Sequence, residues 1–95
     1  MPPANTLGAH QQYLDIWAKA AGAERGIRVR TSNPIAMRQR LYSARAAERR
    51  ANQKIFPPDN ILHGASYYDN YTIKCEQDAC VIFPSTIEIE GVEEL

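Results

Sequence analysis

Long apolar runs are missing from this chain. The longest uninterrupted one, Ala79 to Phe83, is short enough for a strand, whereas a membrane helix needs roughly 20 apolar residues. No membrane partner is expected. The opening residues, Met1-Pro2-Pro3-Ala4-Asn5, show neither the basic start nor the apolar stretch of a secretory signal, and a cytoplasmic protein is the resulting expectation.

Cysteine is scarce. Cys75 and Cys80 are too few for a disulfide scaffold, and in a reducing compartment they are expected as thiols. They flank Glu76 to Ala79, so a hairpin places them on facing strands. Buried thiols are the leading reading and a cross-strand redox clasp the second. Zinc is disfavoured, because no second ligand pair follows and His10 and His63 lie far apart.

Catalytic signatures are also lacking. There is no glycine-rich phosphate loop, nucleophile elbow or paired-histidine motif. Ser66, His63 and Asp69 are residue types of a catalytic triad, but they crowd into one short stretch beside Gly64. The expectation is a non-enzymatic protein without metal or cofactor.

Net charge is lacking as well: eleven basic side chains balance eleven acidic ones. That neutrality hides a polarised chain. Residues 1–24 carry −1, residues 25–54 carry +8 and residues 55–95 carry −7. Nine of the eleven Lys and Arg residues fall between Arg25 and Lys54. Such asymmetry points to a charged partner. At 95 residues the chain has room for a single small domain, 1–95, with one modest core. Residues 91–95 read as a frayed acidic tail.

Hydrophobic spacing predicts a first helix over about residues 6–23. Leu14, Trp17 and Ala21 form its apolar stripe, widened by Tyr13, Ile16 and Ala20. Asn5 or Thr6 is a candidate cap, Gly22 or Gly26 a candidate stop, and Asp15–Lys19 a favourable i,i+4 pair. Ile27-Arg28-Val29-Arg30 alternates as a short strand. Thr31-Ser32-Asn33-Pro34 then starts a second helix, 34–54, that stops before Pro57-Pro58. Residues 61–64 are a candidate extra helical turn. Tyr71 to Glu76 and Cys80 to Phe83 read as a hairpin, and Ile87 to Glu90 as a further strand.

The fold expected is therefore α+β: two helices packed on a small antiparallel sheet of two to three strands. The order partly resembles a winged helix, in which a strand lies between the first two helices and a hairpin follows the last. The likeness needs residues 59–66 to supply a third helix.

On a wheel of about 100° per residue, Met37, Leu41, Ala44, Ala51 and Ile55 share the expected core face of the second helix. Arg38, Tyr42, Arg45 and Arg49 form a neighbouring stripe, and Arg40, Arg50 and Lys54 a second basic edge. Arginine grips phosphate or carboxylate through two donors, and tyrosine offers a stacking surface. The candidate binding residues are Arg28, Arg30, Arg38, Arg40, Tyr42, Arg45, Arg49 and Arg50. In the cluster 67–71, alternation groups Tyr67, Asp69 and Tyr71 on one face and Tyr68 with Asn70 on the other. Ordinary strand tyrosines are the leading reading, and presentation of Tyr68 for contact the second.

The leading functional reading is a nucleic-acid-binding protein that contacts the phosphates of DNA or RNA, with Arg38, Arg45 and Arg49 as the clamp. The alternative is an adaptor or inhibitor of phage or mobile-element type. It would bind an acidic surface of a host protein, such as a nucleic-acid-processing machine, through the basic helix, or bind through its own acidic C-terminal region. The bland reading is internal neutralisation of the arginines by Glu88, Glu90, Glu93 and Glu94, or the same pairing in a homodimer.

Overall fold

The computed structural model describes residues 8–85. Two helices pack on one face of a three-stranded antiparallel sheet, an α+β fold. The elements are α1 (Gln11–Gly22), β1 (Ile27–Arg30), α2 (Pro34–Ile55), β2 (Tyr71–Cys75) and β3 (Ala79–Pro84). In the sheet β3 lies centrally, with β1 and β2 on its two sides. The third strand is thus the Ile27–Arg30 segment. The further strand expected at 87–90 and the acidic tail lie outside the described residues.

α2 starts where its side chains satisfy the first turn. Asn33 Oδ1 accepts from the Ala36 amide at 3.1 Å, Thr31 Oγ1 accepts from the Asn33 amide at 3.1 Å, and Pro34 occupies the first turn. At the other end the Phe56 amide donates to Asn52 O at 2.9 Å, and the two prolines that follow block continuation. α1 begins at Gln11, later than its periodicity suggests, and His10 at its N-cap makes no side-chain capping bond. The candidate caps Asn5 and Thr6 lie outside the described residues. Asp15 accepts from Gln11 Nε2 at 2.8 Å and forms no salt bridge with Lys19.

The core is one cluster of Leu14, Trp17 and Ala20 from α1, Leu41 and Ala44 from α2, and Ile73, Cys80 and Ile82 from the sheet. Trp17 is fully buried, and its Nε1–H donates to the Leu41 carbonyl at 2.9 Å. Burying about 200 Å² of indole contributes roughly 5 kcal/mol before entropy is charged against it. The seam runs through Ala20 rather than Ala21, which is exposed. On α2, Ala47 and Asn52 are buried, whereas Ile55, expected in the core, is 70% exposed. Ile55 is the last residue of the helix, beyond the reach of the sheet.

Alternation in β1 sends Ile27 and Val29 toward the core, so Arg28 and Arg30 face away from the helices. Gly26 precedes this strand with φ +89°, and a Cβ there would lie 2.0 Å from the Ile82 carbonyl oxygen. Only glycine lets the chain enter the sheet so closely.

Residues 57–70 are built of turns. Asn60 Oδ1 accepts from the Leu62 amide at 2.8 Å, and no helical turn forms at 61–64. Residues 59–66 therefore supply no third helix, and the winged-helix likeness gains no support. Tyr67 to Asn70 likewise lie in a turn, not a strand, which removes the expected two-face alternation.

Candidate binding surface on the second helix

The eight candidate residues do not form one open patch. Arg45, expected at the centre of a phosphate clamp, turns inward. Its Nη1 donates to the carbonyls of Tyr68 at 3.0 Å and Tyr71 at 3.2 Å. Its guanidinium carbon lies 5.1 Å from the Trp17 ring centroid and 5.0 Å from that of Tyr42. Burial pulls the Arg45 pKa below its ordinary value, and the neighbouring charge of Arg49 adds to the shift. This arginine fastens α2 to the turn before β2. Arg45 is structural.

Arg49 is likewise engaged. Its Nη2 lies 2.6 Å from Asp69 Oδ1. Burial alone would raise the Asp69 pKa. The Ser66 amide, the Arg49 hydrogen bond and the charges of Arg49 and Arg45 outweigh that effect and hold it below the ordinary value. The turn is secured further by Glu48, the one acid of α2, which accepts from the Ser66 hydroxyl and from the Tyr67 amide.

Two consequences follow from this turn. Tyr68, for which contact with a partner is the second reading, stacks on Trp17 with centroids 5.6 Å apart and an 11° interplanar angle, while Tyr67 is 62% exposed. Ser66 and His63 have separate hydrogen-bond partners: Ser66 bonds Glu48, and His63 Nδ1 lies 2.9 Å from Phe56 O. Their triad-like spacing does not become a triad.

Arg28 and Arg30 pair with the hairpin acids, each at 2.9 Å: Arg28 with Glu76 and Arg30 with Asp78. The hydrogen bond and charge of Glu76 raise the Arg28 pKa, and the same bond lowers that of Glu76. These pairs are exposed, and solvent screening leaves such contacts little weight in stability. Because they lie on the sheet face away from the helices, they do not extend the helix patch. The acids neutralising the arginines are thus Asp69, Glu76 and Asp78. Glu88, Glu90, Glu93 and Glu94 lie outside the described residues.

What remains is a basic flank of α2 that borders the helix-packing side. Arg40, Arg50 and Lys54 are exposed and have no acidic partner among the described residues. At about 100° per residue they share an arc roughly 80° wide, and at 1.5 Å per residue they span about 21 Å; buried Ala47 falls within the same arc, between Arg40 and Lys54. Ser43 lies within that arc, with exposed Gln39 and Gln53 beside it. Glu48 is turned to Ser66, so this face carries no carboxylate of its own helix. Ile35 and Tyr42 form its apolar border. Arg40 and Ser43 also line a shallow open depression with Ala9, His10, Gln12 and Tyr13. Arg38 is half-buried and likewise has no acidic partner among the described residues.

Arg40 and Arg50 are legible in the sequence as candidates and Lys54 as part of the same basic edge, whereas Gln39, Ser43 and Gln53 carry no charge that singles them out. The signal available was the helical spacing of Arg40, Ser43, Arg50 and Lys54, which contains no acid. Among the described residues no three His, Cys, Asp or Glu side chains gather as a metal site, and no helix is long and apolar enough to cross a membrane. No family model, curated protein or solved structure matches the chain.

Proposed function

We propose that this is a small non-enzymatic protein that lays the basic flank of α2 along nucleic-acid phosphates. The observation that carries the reading is the acid-free arc of Arg40, Arg50 and Lys54 on a 22-residue helix. Three cations spread over about 21 Å match the reach of successive phosphates along a strand or groove edge. Gln39, Ser43 and Gln53 supply neutral donors between them, of the kind that position a backbone without reading bases.

Arg45 and Arg49 belong to the scaffold in this reading, and Arg28 and Arg30 contribute only long-range attraction. Tyr42 has one ring contact taken by Arg45, so stacking of a base is secondary. Contact through three cations implies modest, sequence-tolerant affinity with a salt dependence to match.

Fluorescence anisotropy with short single- and double-stranded DNA and RNA at low salt tests the reading. Saturable binding that weakens on salt addition supports it. No binding to any of the four at low salt overturns it.

The second reading is an adaptor or inhibitor that docks α2 in an acidic groove of another protein. Ile35, 58% exposed, and Tyr42 favour it, because they set an apolar border beside the cations. A helix in a groove uses such mixed anchors. Under this reading the isolated protein binds no nucleic acid, and Ile35→Asp abolishes complex formation.

A further inference from the structure

The two thiols form a pair that the binding reading does not use. Cys75 on β2 and Cys80 on β3 are direct register partners. The next pair toward the turn is Glu76 with Ala79, joined by a 2.8 Å bond from the Glu76 amide to the Ala79 carbonyl. Antiparallel ladders alternate hydrogen-bonded and non-hydrogen-bonded pairs, so Cys75 and Cys80 occupy a non-hydrogen-bonded pair. There Cα atoms lie about 4.5 Å apart, inside the range a disulfide spans.

The side chains also converge. Both Sγ atoms donate to the Pro34 carbonyl, Cys80 at 3.1 Å and Cys75 at 3.7 Å. One acceptor shared by two thiols brings the sulfurs to the same spot above the start of α2. That carbonyl is a first-turn acceptor of the helix and keeps the amide of Arg38 when the thiols leave. Both cysteines are free, with Cys80 buried and Cys75 partly exposed. Burial pushes the Cys80 thiol up to about 11, and neighbouring Cys75 adds to the rise. The outer thiol is therefore the attacking one and the inner thiol the resolving one.

We propose that Cys75 and Cys80 are a redox-modification site that closes as an intramolecular disulfide on exposure to a low-molecular-weight disulfide. The Cys75 thiolate attacks one sulfur of the small disulfide, forming a mixed disulfide and releasing one small thiol. The Cys80 sulfur, giving up its proton, then attacks Cys75 Sγ and displaces the second small thiol. Two protein thiols are oxidised and one small disulfide is reduced to two thiols. The product clasps the end of the hairpin that presents Glu76 and Asp78 to Arg28 and Arg30.

The test is to incubate the reduced full chain with oxidised glutathione, quench with acid, remove glutathione, block with iodoacetamide in denaturant at mildly alkaline pH and measure intact mass. The expected wild-type product is a monomer lighter by two hydrogens, carrying neither glutathione nor alkyl groups. Dithiothreitol should return two alkylatable thiols. Cys80→Ser should instead retain one glutathione on Cys75, with circular dichroism confirming the native fold. Wild-type protein that retains glutathione, remains doubly alkylatable or forms linked dimers overturns the proposal.

Discussion

The Arg45 guanidinium lies 5.1 Å from the centre of the Trp17 ring, and Tyr68 stacks on the same ring at 5.6 Å. One arginine of the basic block is therefore a joint between α1, α2 and the turn leading into β2. Its two bonds reach the Tyr71 carbonyl and the Tyr68 carbonyl, the latter shared with the Tyr71 amide.

Removing that joint should cost stability rather than affinity. Charged hydrogen bonds of this kind contribute about 1.5–3 kcal/mol, and Arg45→Ala should lower the unfolding free energy by a similar amount. Arg45→Lys should recover less than half, because an ammonium lacks the planar fork. Urea denaturation measures both, and a loss below ~0.5 kcal/mol in Arg45→Ala would contradict the assignment.

Gly26 offers a sharper structural test. Gly26→Ala meets both a positive φ of +89° and a backbone oxygen at 2.0 Å. Strain and overlap together should destabilise by roughly 2–4 kcal/mol. Gly22, whose added Cβ meets nothing within 4 Å, should accept alanine with little change or a gain of a few tenths of a kcal/mol. Thermal melts of the two variants should diverge widely, and similar melting temperatures would be evidence against the tight entry into β1.

Much of the fold was legible in the chain. Asn33-Pro34 announced α2 because a capping oxygen and a proline both suit a first turn. Strict alternation over Ile27–Arg30 announced β1. The inward turn of Arg45 is not legible in its stripe, because periodicity reports which residues share a face, not which way each side chain points. Arg45 borders Leu41 on the wheel, and a long aliphatic stem lets arginine cover a buried indole while its head reaches carbonyls. Its inward turn depends on Tyr68 and Tyr71, more than 20 positions away, which no local window contains. The pairing of Arg49 with Asp69 and of Arg28 with Glu76 is equally non-local. Regional charge sums flagged the opposing blocks but not the partners.

Asp69 should make stability acid-sensitive. Its pKa is lowered in the folded state, so the folded protein binds fewer protons than the unfolded chain. The stabilisation is complete above the unfolded value, about 4, and is lost as pH falls through the lower folded value. Solvent screening keeps it to about 1 kcal/mol or less. Asp69→Asn should show a shallower loss of stability below about pH 4. Denaturation curves at several acidic pH values compare the two proteins, and identical acid profiles would contradict this role.

The basic flank of α2 is the central claim, and the salt dependence of duplex DNA binding tests it most directly. Three phosphate contacts predict a slope near −2.7 in log affinity against log salt, or about a 40-fold loss between 50 and 200 mM. The Arg40→Gln/Arg50→Gln/Lys54→Gln variant should keep the native circular dichroism and lose most of that slope. Arg28→Gln/Arg30→Gln, altered on the opposite face of the sheet, should nearly keep it. A triple variant that binds with the wild-type slope, or a wild type that does not bind at all, would contradict the account.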